Sequence, residues 1–137
     1  MKRISYQVGS GKVAISQGDI TKFKGDAIVN AANERCLGGG GVDGAIHRAA
    51  GEELYQACLK LEEVEEGVRC PTGQAVITPG FKLDAKNVIH TSAYRSSLQL
   101  ANEHNLKSIA FPAISCGVFA YPVKEAGTLS HLQLVAG

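Results

Sequence analysis

The sequence lacks a marked excess of charge of either sign, a long apolar run, a close cysteine pair and any internal repeat, and each absence removes a class of function. Fourteen Lys and Arg residues against thirteen Asp and Glu leave a formal net charge of +1, and no basic run exceeds two residues. A nucleic-acid partner recognised by bulk charge is therefore not expected, although a small phosphate ligand held by backbone amides stays open. No window approaches the roughly 18 apolar residues of a membrane helix, and MKRISYQVGSGK has no apolar signal core, so no membrane partner is expected. Cys36, Cys58, Cys70 and Cys116 show no CxxC spacing and no nearby histidine pair. They read as free thiols in a reducing compartment, the cytoplasm. What remains is ordinary globular material: 137 residues, 45% hydrophobic and 20% charged, enough for a single domain over 1–137 with one core.

Within that chain, Ile4 to Val8 and Lys12 to Gln17 alternate on either side of Gly9-Ser10-Gly11, which predicts a hairpin or tight turn. Asp26 to Asn30 is a short apolar run of the kind a strand covered on both faces shows. Val42, Ile46 and Ala49/Ala50 recur at helical spacing up to Gly51, a C-cap, and a second helix is predicted from Glu52 to Glu63. Strands follow at Gln74 to Thr78, Asn87 to Thr91 and Ser108 to Ile114. A helix carrying Tyr94, Leu98 and Ala101 lies between the last two, and Pro122 suits the first turn of a last helix. Strands alternating with helices imply a mostly parallel sheet with helices on both faces. Ligands of such sheets bind beyond the carboxyl ends of the strands, where the loops 31–41 and 115–119 fall.

The first loop carries the most chemistry. Gly39, Gly41 and Gly44 satisfy GxGxxG ahead of a helix, but six residues from Ala32 to Leu37 separate them from the strand, where a dinucleotide fold needs a tight turn. A P-loop fails for want of GK[ST]. What survives is a nest of glycine amides at a helix N-terminus, suited to a phosphate or pyrophosphate. Asp43 in the first helical turn could simply complement the helix dipole. Beside a phosphate nest, however, an anion repels the ligand, which suggests a role in orienting a hydroxyl or water. His47 lies one turn on, either packed against neighbours or within reach of Asp43. Asn30 and Asn33 donate and accept at once, which suits sugar hydroxyls, or they cap turns by Asx geometry. Asp19 could accept from an adenine amino group or cap the next helical turn. Phe119 could stack on a sugar or base, or cover the edge of the core.

Together GDIT (18–21), DAIVNAAN (26–33), GGGGVDGAIH (38–47), NVIHT (87–91) and SIAFPAISCGVFAYP (108–122) resemble the macrodomain family, in its MacroD-type branch that binds and hydrolyses ADP-ribose adducts. The resemblance implies an α/β fold, a three-layer α/β/α sandwich around a mixed, mostly parallel sheet. It also implies roles. Asp19 would contact adenine with Ile20 beside it, and Asn30 and Asn33 would serve the distal ribose. The amides of Gly40, Gly41 and Val42, with those of Ser115, Cys116, Gly117, Val118 and Phe119, would cradle the pyrophosphate. Phe119 would also pack on the distal ribose. Asp43, aided by Asn33, would be catalytic, with no metal and no cofactor. The implied ligand is ADP-ribose or an ADP-ribosylated protein or metabolite. The implied reaction is hydrolysis of ADP-ribose esters of glutamate or aspartate, or of O-acetyl-ADP-ribose, the alternative being a reader that binds without turnover.

The sequence departs from the family pattern twice. Family members usually continue VIHT through VGP and a loop of roughly twenty residues, whereas here Thr91 meets the next helix almost directly, although a strand-to-helix turn needs about two residues or more. Either a segment is missing from the sequence, the preferred reading, or a deletion shifts the helix. The run TLSHLQLVAG also does not match the family's C-terminal elements, whose absence after about residue 127 is expected on this pattern, with one short strand expected over Leu132 to Ala136. Such a truncation would expose an apolar sheet edge or face.

Overall fold

A computed structural model describes residues 3–8, 11–112 and 130–136. The first two strands, β1 (Arg3–Val8) and β2 (Gly11–Gln17), pair antiparallel with Val8 opposite Gly11, the expected hairpin. A 3₁₀ turn (Ile20–Lys22) leads to β3 (Ala27–Ala31). Two consecutive helices follow, α1 (Gly41–Ala50) and α2 (Glu52–Leu59), separated by Gly51 in the left-handed region at φ 91°. Then come β4 (Ala75–Pro79), β5 (Asn87–Thr91), α3 (Tyr94–Glu103), β6 (Ser108–Pro112) and β7 (His131–Ala136).

The seven strands form one sheet in the order β1-β2-β7-β6-β3-β5-β4. The four inner pairings are parallel, and the antiparallel pairings join the edge strands β1 and β4. Strand pleating sends alternate side chains to opposite faces. Ile28, Val88 and Ala110 pack with Ile46, Ala50, Leu54 and Cys58 of α1 and α2. Val29, Ile89, Ile109 and Phe111 pack with Leu98 and Ala101 of α3. Both faces are therefore covered, which is why β3 reads as a continuous apolar run.

Two expectations change. Helix α2 stops at Leu59 instead of reaching Glu63, because the acidic run after it enters a tight turn. There Val64 N donates to Val68 O at 2.9 Å, and Gly67 takes φ 76°. Ser92 and Ala93 alone connect β5 to α3 in this chain, and the helix begins at Tyr94. Thr91 Oγ1 secures that turn by accepting from Ala93 N at 2.9 Å and by bonding Gln74 O at 2.6 Å. The strand expected over Leu132 to Ala136 is present as β7, parallel between β2 and β6, with Leu132, Leu134 and Val135 buried. The apolar residues of this run therefore leave no open sheet edge there.

Candidate active site

Parallel β3 and β5 are in register so that Asn30 lies directly opposite His90. Both side chains share the face covered by α1 and α2, and both are fully buried. The chain leaves β3 at its carboxyl end, crosses the glycine loop and enters α1, which brings Asp43 back over the end of the strand. Asn30 Nδ2 donates to Asp43 Oδ1 at 2.8 Å and lies 3.2 Å from His90 Nδ1. On its far side, His90 Nε2 is 2.9 Å from Thr78 Oγ1 of β4, with Cys58 Sγ at 3.9 Å. Burial drives the His90 pKa down to about 3, helped by repulsion from His47, so the ring is neutral. His47 Nε2 sits 3.6 Å from Asp43 Oδ1, on the same helix one turn later.

Asp43 is only 4% exposed, yet it stands in the first turn of α1, where unpaired amides favour negative charge. The N-cap of that helix is Gly40, which has no side chain to bond the first-turn amides. The amides of Gly41 and Val42 therefore stay available to an oxygen-rich anion. Two glycines keep this corner tight. A Cβ on Gly39 would lie 3.2 Å from Asp43 Oδ2, and Gly41 takes φ 60°.

Asn33 turns out to be a turn former. Its Oδ1 accepts from the amides of Arg35 (3.1 Å) and Cys36 (3.2 Å), and its Nδ2 donates to Gly38 O at 3.3 Å. This is the Asx geometry allowed above, and it shapes the loop while leaving the residue exposed beside Gly39. Residues 69–72 hold the loop from outside. The amides of Arg69 and Cys70 donate to Glu34 O at 2.8 and 3.0 Å, and Thr72 N donates to Glu34 Oε2 at 3.1 Å. Cys36 adopts φ 62°, an uncommon conformation for a non-glycine residue, held by these contacts.

Asp19 caps the 3₁₀ turn, accepting from Thr21 N at 2.9 Å and Thr21 Oγ1 at 2.7 Å, and those bonds lower its pKa. Both bonds use Oδ1. Asp19 also lines a cavity of about 770 Å³ bounded by Ser16, Lys22, Phe23, His131 and Gln133, whereas Ile20 is buried in the core. That cavity is not lined by Asn30 or Asp43. The structure thus gathers Asn30, Asn33, Gly40, Gly41, Val42 and Asp43 at one corner, while Asp19 lines the cavity beside β2 and β7. Ser115, Cys116, Gly117, Val118 and Phe119 lie outside the described residues, as does the helix expected from Pro122. Strand β6 ends beside β3 and parallel to it, so the chain continues from the same edge of the sheet as the glycine loop. Among the described residues no group of His, Cys, Asp and Glu is placed to hold a metal ion.

The Macro domain model matches residues 29–129. The chain belongs to the Macro domain family. This macrodomain is 50% identical to an O-acetyl-ADP-ribose deacetylase of Salmonella gallinarum over 138 aligned residues, covering 88% of this chain and 76% of that protein. It is also 50% identical to an ADP-ribose glycohydrolase of Rattus norvegicus, covering 84% of this chain and 49% of the longer rat protein. Among solved structures, the Oceanobacillus iheyensis macrodomain with ADP superposes with a TM-score of 0.84 at 36% identity, covering 98% of this chain and 88% of the other. The three-layer fold and mostly parallel sheet expected from the sequence are those of the family.

His90 and Thr78 went unassigned in the sequence reading. A signal was present: a histidine and a threonine inside strands covered on both faces must find partners, because buried polar groups are rarely left unpaired.

Proposed function

We propose that this macrodomain binds ADP-ribose and hydrolyses ADP-ribose esters, with O-acetyl-ADP-ribose and mono-ADP-ribosylated glutamate or aspartate as the substrate class. The observation that carries the proposal is Asp43, a buried carboxylate fixed by Asn30 at the mouth of an uncapped, glycine-led helix, in a chain half identical to named ADP-ribose ester and glycoside hydrolases.

The division of labour follows from the geometry. The free amides of Gly41 and Val42 suit the pyrophosphate, which is anionic and rich in acceptors. Residues Ser115 to Phe119 are proposed to close the cradle from the neighbouring strand end. Asp43 Oδ1 is occupied by Asn30, whereas Oδ2 faces Gly39, the side on which a ligand over the glycine loop would lie. That oxygen would orient a water, or the ribose hydroxyl, for attack on the ester and accept its proton. Asn33 would keep the loop in the shape that holds the distal ribose. Asp19 would accept from the adenine amino group through Oδ2, since Oδ1 is committed to Thr21. Fixing the reacting groups beforehand is the main asset of such a site.

A reducing compartment, the cytoplasm, suits the free thiols of Cys36, Cys58 and Cys70. No helix among the described residues is long and apolar enough to cross a membrane. The deciding experiment measures release of acetate from O-acetyl-ADP-ribose by the wild-type protein and by Asp43→Ala, beside calorimetric titration of both with ADP-ribose. Turnover lost with binding kept supports the proposal. Unchanged hydrolysis in the variant overturns it, and binding without turnover in the wild type makes the protein a reader.

A further inference from the structure

We infer that His90 is a positioning residue for the hydrolysis, acting through Asn30 to hold Asp43 in its reactive orientation. The inference rests on Asp43 being the group that acts on the substrate. Asn30 has two amide hydrogens, and the structure gives each an acceptor: Asp43 Oδ1 at 2.8 Å and His90 Nδ1 at 3.2 Å. For Nδ1 to accept, a neutral imidazole must carry its proton on Nε2. Thr78 Oγ1, 2.9 Å from Nε2, receives that proton's hydrogen bond. The Asp43 carboxylate, which can only accept, fixes the face of the Asn30 amide; the amide then selects the tautomer, and His90 in turn holds the amide in place.

The reversed amide is disfavoured at the Asp43 end, because it would aim Oδ1 at a carboxylate oxygen. Two acceptors fix the amide plane where one would let it swing. The same orientation leaves Asn30 Oδ1 buried and unpartnered among the described residues and keeps both donors for the protein. Direct contact between His90 and substrate is not required, since the ring is fully buried beneath Asn30. Facing it from the elements packed around it are His47, with ring centroids 6.4 Å apart, Cys58 and, across Asn30, Asp43.

The test compares His90→Leu, His90→Asn and Thr78→Val with wild type, using O-acetyl-ADP-ribose turnover, calorimetry with ADP-ribose, and ¹⁵N spectra of histidine-labelled protein. His90→Leu fills the space and removes the acceptor. It should lower kcat roughly 10- to 100-fold, the worth of one buried bond in a charged network, with KM and the ADP-ribose Kd changed less than about threefold. His90→Asn places a carbonyl oxygen near the old Nδ1 position and should recover most of that loss. The wild-type spectrum should show Nδ1 bare and Nε2 protonated from pH 5 to 8, and Thr78→Val, which removes the acceptor of that proton, should shift the Nε2 resonance. The inference is overturned by wild-type kcat in His90→Leu, by equal losses in kcat and in binding, or by a ring protonated on Nδ1. The spectrum decides even if the leucine variant fails to fold. Asp43→Ala separates the two levels: if that variant keeps turnover, the assignment of Asp43 fails, whereas normal turnover in His90→Leu with an inactive Asp43→Ala removes only the role of His90.

Discussion

The carbonyl oxygen of Gly39 lies against Gly44 one loop away, so closely that a Cβ on Gly44 would stand 2.5 Å from it. The glycine loop is thus seated directly on the first turn of α1, backbone against backbone, and the seat positions both the free amides and Asp43.

Substituting the two ends of this corner should separate packing from space. In Gly44→Ala the new methyl meets a backbone atom that cannot rotate away, so the loop must lift from the helix. A loss of about 1–3 kcal/mol in urea unfolding is expected, with weaker ADP-ribose binding. Gly40→Ala, by contrast, meets nothing within 4 Å and does not have a positive φ, so it should lose only the roughly 0.5–1 kcal/mol of a poorer N-cap. Equal stability of the two variants would contradict the close seat.

Asp43→Asn is the most conservative probe of the chemistry, because it keeps the shape and removes the charge. Turnover should fall by about 100-fold or more if the carboxylate orients and deprotonates the attacking oxygen. Binding should survive, and ADP-ribose at about 100 times its Kd should still add roughly 2.7 kcal/mol to the unfolding free energy of both proteins. A variant that neither turns over nor is stabilised by ligand would mean that Asp43 builds the pocket and does not act in the reaction.

Much of this corner was legible in the sequence because it is local. The strand–loop–helix order, the glycine nest and the place of Asp43 at a helix mouth all lie between Asp26 and Gly51, within reach of period and turn rules. Asn33 was read with both of its outcomes, and local geometry decided for the Asx turn, which leaves any contact with sugar to be tested. The bonding of His90 was not legible. It depends on the register of two parallel strands sixty residues apart, and register in a two-sided sheet is fixed by tertiary packing. The end of α2 was missed for a related reason: the turn at Gly67 overrides a helical pattern that continues on paper. β7 was expected as a strand, but nothing in a six-residue run says that it belongs between β2 and β6.

Cys58 supplies a chemical check on the core beneath the site. Burial, with the charge of Asp43 adding to it, pushes its thiol up to about 11. At pH 8 only about one part in a thousand is thiolate, the form that reacts. Iodoacetamide at that pH should leave the Cys58 peptide unalkylated in the native protein and label it in urea, as read by peptide mass mapping. Rapid native labelling would mean that α2 opens away from the sheet.

The buried histidine also predicts how stability depends on pH. The folded pKa of His90, about 3, is below its ordinary value of 6.5, so the unfolded chain binds the proton more readily. The neutral ring's contribution is therefore complete above about pH 6.5 and is lost progressively as the pH falls toward 3. At pH 5 the loss is on the order of 2 kcal/mol, set by protonation of the unfolded ring alone. His90→Asn cannot take up that proton. It should be less stable than wild type at pH 7.5, but its further decline to pH 5 should be smaller by about the same 2 kcal/mol. Urea unfolding of both proteins at pH 7.5, 6 and 5 measures this difference, and because all other titrating groups are common to the pair, their contributions cancel. Parallel declines would mean that His90 accepts a proton within the folded protein, and the neutral ring that Asn30 donates to would not be the native state.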